Sequence, residues 1–479
     1  MKMRFRNFVS IATLFIMQSM VSEASAISLE EAVAVAIEAN PEIGQAVENR
    51  EAIEFELRQA RGLFLPSVDF ETSAGGRRLG SPSSRADFGF AQRGLAPVEG
   101  SLTITQTLYN GGQRRAELER QAARVDSASL RVLERSEAIS LQVVREYLEY
   151  LLQGRIIKEA AANLRFHRNI QNNIGTGISA GTLTNADAQQ VRERIFAAQA
   201  RLKEAEENLT AAGIRFLTLV GKPIDGASLP QSVAAHIPTS LANALGSGRD
   251  NSTRIHIAQS DIDVANSLVK AAEGGRRPEI FLEGRGRIGN DIDGSEGRTS
   301  DVQGRIVARW NIFRGGIDRA NKQEQVRRAS EQRLVLHQTQ RQVDEAVRIS
   351  WDRRIRQRSL AKTLRRQAEE NGSLVNSYRD QFDIGERSLL DVLDAQNTKF
   401  NVNNLRLAAD FAAIFTDYQV LAASGLLLKT LSLKAPQQSE AYARKEFNVP
   451  VSPPTETFPR VPSRQENKVP LDLLKPLKY

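Results

Sequence analysis

The sequence predicts a mainly α membrane protein of mixed α and β structure, built twice over, with short strands mounted on very long helices. Three observations predict it. First, the chain repeats itself. Gly111-Gly112 recurs as Gly315-Gly316, Ala116 as Ala320, Tyr147 as Trp351, Gly181 as Gly385, Thr184 as Ser388 and Asp187 as Asp391, all 204 positions apart. Upstream the offset is 212, matching Ala46 to Ala258, Ala60 to Ala272, Gly62 to Gly274 and Pro66 to Pro278. The eight-residue change falls between Pro66 and Gly111, so one hairpin loop differs in length. Second, no proline occurs between Pro97 and Pro223 or between Pro278 and Pro436, which leaves room for uninterrupted helices. Third, short segments alternate apolar and polar residues ahead of each proline-free block.

The first 26 residues read as a secretory signal: Lys2, Arg4 and Arg6, an apolar stretch from Phe8 to Val21, then Ala24-Ser25-Ala26 as cleavage site. Their removal takes Lys2, Arg4, Arg6 and Glu23 from a chain of formal charge +8 and leaves +6. That charge is spread out, so it does not suggest nucleic acid. The chain has no cysteine, hence no disulfide, thiol nucleophile, thiolate metal site or lipid-bearing N-terminal cysteine. Export without disulfides fits a bacterial envelope protein. No later stretch of about 18 apolar residues offers a membrane helix, and the remaining way across a bilayer is a closed β-barrel.

The first repeat, 27–250, opens with short helices over about 28–40 and 42–63, split at Asn40-Pro41. A hairpin follows over about 66–109. Leu102, Ile104 and Leu108 there alternate with Thr103, Thr105 and Thr107. Next, Leu118, Ala122, Val125, Val132, Ile139, Val143 and Tyr147 form one helical stripe, with Arg120, Arg124, Arg131 and Arg135 on a solvated opposite face. This predicts a helix over about 113–174, roughly 90 Å long, a break at 175–181 and a second helix from Thr184 to about Val220. A connector occupies 221–250. The second repeat, 251–433, has a helix over about 252–273 and a hairpin over about 279–312. Its long helices cover about 317–382 and 388–430, broken at Gly385. Residues 434–479 are Pro-rich and read as an extended or disordered tail.

One apolar and one charged face on strands of about ten residues is the pattern of a membrane barrel with a wet lumen. Tyr109, Trp310 and Phe313 stand at strand ends, where an aromatic girdle belongs. Each chain supplies four strands, and the smallest membrane barrels need about eight. Several chains must therefore share one barrel. A long duplicated unit reads as equivalent pieces of one wall, and a wall suggests a conduit more readily than a catalyst.

Several motifs resemble the TolC family of outer-membrane channels. They are Ser28-Leu29-Glu30-Glu31-Ala32, Ala39-Asn40-Pro41-Glu42, Pro66-Ser67-Val68, Leu108-Tyr109-Asn110-Gly111-Gly112 and Ile312-Phe313-Arg314-Gly315-Gly316. The run from Gly385 to Asp394 belongs with them. The resemblance covers about 28–434 and implies a homotrimer whose twelve strands form one outer-membrane barrel, continued by a long-helix periplasmic α-barrel. It implies a non-enzymatic exit duct without cofactors or metal. A periplasmic adaptor, an inner-membrane transporter (ABC type favoured) and outer-membrane lipid are its implied partners. The run 382–397 looks most like members that export large proteins by type I secretion; multidrug or metal efflux is the alternative cargo. A soluble periplasmic coiled-coil scaffold is the alternative of another class.

The resemblance also marks Asp391 and Asp394 as a periplasmic constriction, with Arg387 and Phe382 as gate-linking candidates. Three-residue spacing puts both carboxylates on one helix face. Ser388-x-x-Asp391 is also a capping pattern, and Thr184-x-x-Asp187 reads as capping alone. Gly181 and Gly385 are the turn glycines, and Gly111, Gly112, Gly315 and Gly316 mark the barrel-to-helix junctions. Two other motifs are decoys. The Gly177–Gly181 match to G-x-S-x-G follows a helix where the hydrolase motif needs a strand. The Gly284–Gly289 match to G-x-G-x-x-G has no following helix to receive phosphate. The four histidines (His167, His236, His256, His337) lack paired metal spacing.

Overall fold

The computed structural model describes residues 27–79, 93–179, 181–294 and 296–463. The signal segment and the end of the tail lie outside them. Helix α1 (Leu29–Ala39) is capped by Ser28, and α2 (Pro41–Gly62) starts on Asn40 with proline at its first position. Strand β1 (Ser67–Ala74) leads into a short pair, β2 (Arg77–Leu79) and β3 (Arg93–Leu95), and back through β4 (Val98–Asn110). Helix α3 (Gln113–Ser179) turns into α4 (Asn185–Val220). The connector carries a helix that the sequence pattern did not reveal, α5 (Leu241–Asn251), whose three glycine and serine positions weaken the helical signal. Then follow α6 (Thr253–Gly274), β5 (Glu279–Asn290), β6 (Arg298–Arg309), α7 (Ile317–Asp383) and α8 (Leu389–Ala423).

Three expected boundaries move. Strand β6 ends at Arg309, short of 312. Helix α3 runs through Gly175 and Gly177 to Ser179. Helix α8 ends at Ala423, not near 430, because Gly425 turns left-handed (φ +67°) ahead of a single-turn helix, α9 (Leu427–Thr430).

The four long strands form one antiparallel sheet in the order β1-β4-β5-β6. In the first hairpin Ser67 faces Thr105, and in the second Glu279 faces Arg309. The sequence offsets of 212 and 204 convert one pair into the other, so the two hairpins share one register. The eight extra residues lie between Ala74 and Val98, where the short β2–β3 ladder extends the first hairpin. Across the sheet Val68, Phe70, Leu102, Ile104, Leu282, Ile288, Val302 and Ile306 share one face and are exposed. The other face carries Glu99, Glu283, Arg285, Arg287, Asp301 and Arg305, joined by Arg285–Glu99 (3.2 Å), Arg287–Asp301 (2.7 Å) and Arg305–Glu283 (2.6 Å) bridges. Trp310 lies just past the strand end, its indole N–H donating to the Arg276 carbonyl at 3.1 Å.

All seven residues of the α3 stripe are buried. The face opposite is less open than its arginines suggest. Arg120 pairs with Glu117 at 2.7 Å and Arg124 with Glu56, both half-buried, because α2 and α6 pack beside α3. At mid-length, Tyr147 is fully buried, and its hydroxyl sits 3.0 Å from the Ile27 carbonyl and 2.8 Å from that of Ser228. Ile27, Val33, Ile139, Val143, Phe216, Ile237, Tyr418 and Leu421 complete this equatorial core. Each such side chain contributes about 1.5–3 kcal/mol by leaving water.

The disordered tail expected from composition does not hold for residues 434–463. Prolines 450, 453, 454, 459 and 462 keep much of it extended, but a helical turn, α10 (Ala443–Glu446), and apolar anchors seat it. Ala443 and Val449 pack among Ile53, Leu57, Leu118 and Ala122, and Phe458 sits among Ala265, Val269, Val326 and Ala329.

The Gly-Gly junction makes a direct test. Gly111 (φ +69°) and Gly112 (φ +92°) are both left-handed, a conformation costing about 1–2 kcal/mol for other residues. A Cβ on Gly111 would also stand 2.2 Å from the Gly274 carbonyl oxygen, whereas one on Gly112 meets nothing within 4 Å. Gly111→Ala should lower the thermal unfolding temperature of the detergent-solubilised protein well beyond Gly112→Ala.

Candidate functional site

The two helical hairpins end in turns that copy each other. After α3, Gly181 (φ +73°) donates its N–H to Ile178 O and Thr182 donates to Gly177 O, both at 3.0 Å. After α7, Gly385 (φ +81°) donates to Phe382 O and Glu386 to Gln381 O, both at 2.9 Å. These bonds satisfy the last carbonyls of each helix, and a left-handed glycine is what allows them. The following helices are capped alike. The Asp187 N–H donates to Thr184 Oγ1 at 3.2 Å while the Thr184 N–H donates to Asp187 Oδ2 at 2.8 Å. The Asp391 N–H donates to Ser388 Oγ at 3.2 Å, and that hydroxyl donates to Asp391 Oδ2 at 2.8 Å.

One apolar cluster ties both hairpins together at this end: Leu164, Ile174, Val191 and Ile195 from the first, Leu389 and Leu393 from the second. Phe382 packs on its edge. The aromatic ring beside Arg387 is instead Tyr378, one turn earlier, with the guanidinium 4.3 Å from its centroid. Arg387 also donates to Gln381 Oε1 at 3.1 Å and lies 4.0 Å from Asp391. Sequence reading missed Tyr378; a tyrosine four positions from Phe382 on a helix was the available signal.

The two aspartates differ. Asp391 is half-buried and occupied with its cap, whereas Asp394 is exposed and receives Arg194 of α4 at 2.9 Å. Arg194 therefore crosses from the first hairpin to the second and offsets one of the two charges. The sequence placed Asp391 and Asp394 together but did not reveal Arg194, 200 positions away. Behind this bridge lies His167, 2% exposed, edge-on to Phe166 with its ring centroid 5.6 Å away. Burial first, and then the nearby Arg194 charge, push its pKa down to about 4.

The whole fold invites comparison with known proteins. The profile described as "Outer membrane efflux protein" matches residues 32–222 and 245–414, well over half the chain. The chain belongs to the outer membrane efflux protein family. The outer membrane efflux protein BepC of Brucella suis biovar 1 (strain 1330) is 22% identical over 327 residues, 68% of this chain and 71% of that one. Among solved structures, the Campylobacter jejuni CmeC outer membrane channel aligns with a TM-score of 0.74 at 15% identity, covering 93% of this chain and 97% of its own. A membrane protein from Pseudomonas aeruginosa aligns at 0.73 and 16% identity, covering 83% and 90%. These structures share the fold with this chain. Family membership makes this chain an outer-membrane channel that extends into the periplasm, and not an enzyme. Efflux channels of this TolC-like kind are homotrimers that work with a periplasmic adaptor and an inner-membrane transporter.

His167 gives the tip a pH signature. Folded, it stays neutral down to about pH 4. An unfolded histidine protonates near 6.5. Stability from this residue is thus complete above pH 6.5 and is lost as pH falls through that window, at about 1.4 kcal/mol per unit. His167→Gln should flatten the acid limb of the denaturation midpoint between pH 6.5 and 4.

Proposed function

We propose that three copies of this chain close a twelve-stranded barrel and form the outer-membrane exit duct of a tripartite exporter. The observation that carries the reading is the two-faced sheet with both edges open. Among the described residues of one chain, β1 and β6 each bond a single neighbour, and in hydrocarbon an unpaired edge is untenable. Carrying the β4–β5 register through the offsets of 204 and 212 pairs Arg309 of one protomer with Glu71 of the next, a cation facing an anion. The helices support the same joint. Phe55 on α2 is 57% exposed, while its repeat equivalent Ser267 is 2% exposed against neighbouring helices. Leu334 on α7 is 69% exposed, while its equivalent Leu130 is 8% exposed. A neighbouring protomer's α2 laid against α7, as α6 lies against α3, covers both.

At the periplasmic mouth a threefold axis gathers Asp391 and Asp394 into an acidic constriction, tempered by Arg194. Its field favours cations. For cargo, the run 382–397 and the absence of a lipidated cysteine favour type I protein secretion with an ABC transporter. The second reading is small-molecule efflux, favoured by the description of the curated relative as an efflux protein. A deletion strain separates them. Loss of a large secreted protein supports secretion; an unchanged secretome with heightened drug sensitivity supports efflux.

Two further outcomes are expected. Cysteines introduced at Glu71 and Arg309 should oxidise into an intersubunit ladder ending at trimer, which no cysteine of the native chain can confuse. In planar bilayers under a salt gradient, Asp394→Asn should lower the cation preference and Arg194→Ala should raise it, read as opposite shifts of reversal potential.

A further inference from the structure

The tail begins at the equatorial core, crosses α2, α3 and α6, and by residue 461 has reached α7. Its fixed point is Arg444. Asp126 on α3 and Asp263 on α6 are 3% and 2% exposed. Among the described residues, every hydrogen bond to these two carboxylates comes from the tail. Ala443 N–H and Arg444 Nε reach Asp126 at 2.7 and 2.9 Å; Arg444 Nη1 and the Ser452 N–H reach Asp263 at 2.8 and 2.7 Å. Two buried carboxylates on helices of different repeats thus exist with the tail as their counterpart.

Beyond this clasp the tail proceeds to α7. Glu456 accepts from Arg333 at 3.4 Å, the Val461 N–H donates to Gln323 Oε1 at 2.9 Å, and Arg327 donates to Val461 O at 2.8 Å. Gln323 occupies a telling place. Its repeat equivalent on α3 is Glu119, which holds Lys270 of α6 at 2.7 Å. The repeat equivalent of Lys270 is Arg58 of α2, 59% exposed within one chain. Gln323 therefore lies on the α7 face that a neighbouring α2 covers, and Val461 of the tail is already bonded to it.

We infer that the C-terminal tail is an intersubunit strap: clasped by Arg444 within its own protomer, its segment 459–463 is seated in the joint between α7 and the α2 of the next copy of this chain, beside Arg58. This rests on the trimeric reading above, and the test separates the two. In the full-length protein in detergent, Val461→Cys combined with Arg58→Cys, both exposed positions, is treated with a short bis-maleimide. The expected result is a ladder of intersubunit dimers and trimers on a denaturing gel, absent from either single variant. Adding Arg444→Ala should cut the yield of that ladder several-fold and leave the Glu71–Arg309 cysteine ladder unchanged. A Glu71–Arg309 ladder without a Val461–Arg58 ladder overturns the strap and keeps the trimer; loss of both ladders overturns both. An unaltered Val461–Arg58 yield in the Arg444→Ala background overturns the clasp as the anchor.

Discussion

Backbone amides and carbonyls that face hydrocarbon must find partners, and this requirement governs the molecule. Four strands of one chain satisfy their inner pairings and leave a row of groups open on each flank. Helices beneath the sheet show the same incompleteness in another currency, as exposed Phe55 and Leu334. Backbone and side chains ask for the same remedy at the same two flanks. On the trimeric reading proposed above, a single protomer is a sector of a ring.

Duplication makes such a ring economical. Equal register in the two hairpins means that β4–β5 within a chain and β6–β1 between chains can be the same joint used twice. Matching turn bonds at Gly181 and Gly385 keep the two helical hairpins equal at the far end. The departures from equality are chemical. Tyr147 is locked between Ile27 and Ser228, while its equivalent Trp351 lies beside Arg354, which is held to Asp417 at 2.8 Å. Arg194, which restrains Asp394, has Thr398 as its equivalent.

Much of the fold was legible because its periods are long and clean. The α3 stripe, the alternating strands and the paired glycines each follow from a local rule, and the offsets located the hairpin that differs in length. The capping residues Thr184, Asp187, Ser388 and Asp391 were readable for the same reason: caps act across three positions. What stayed hidden depends on distance along the chain. The Arg194–Asp394 bridge requires knowing how the helices of the two hairpins face each other. The tail was misread because composition weighs average polarity, whereas docking needs only a few anchors such as Arg444, Val449 and Phe458 placed opposite the right partners.

The position of the clasp in the chain has a consequence for biogenesis. Arg444 completes a carboxylate made 318 residues earlier, so α3 and α6 cannot reach their final electrostatic state until nearly the whole polypeptide has been exported. A subunit terminated before Arg444 would leave Asp126 and Asp263 without the hydrogen bonds that the tail supplies. If the tail straps subunits as inferred above, a chain truncated before Arg444 lacks both its own clasp and its hold on the next subunit.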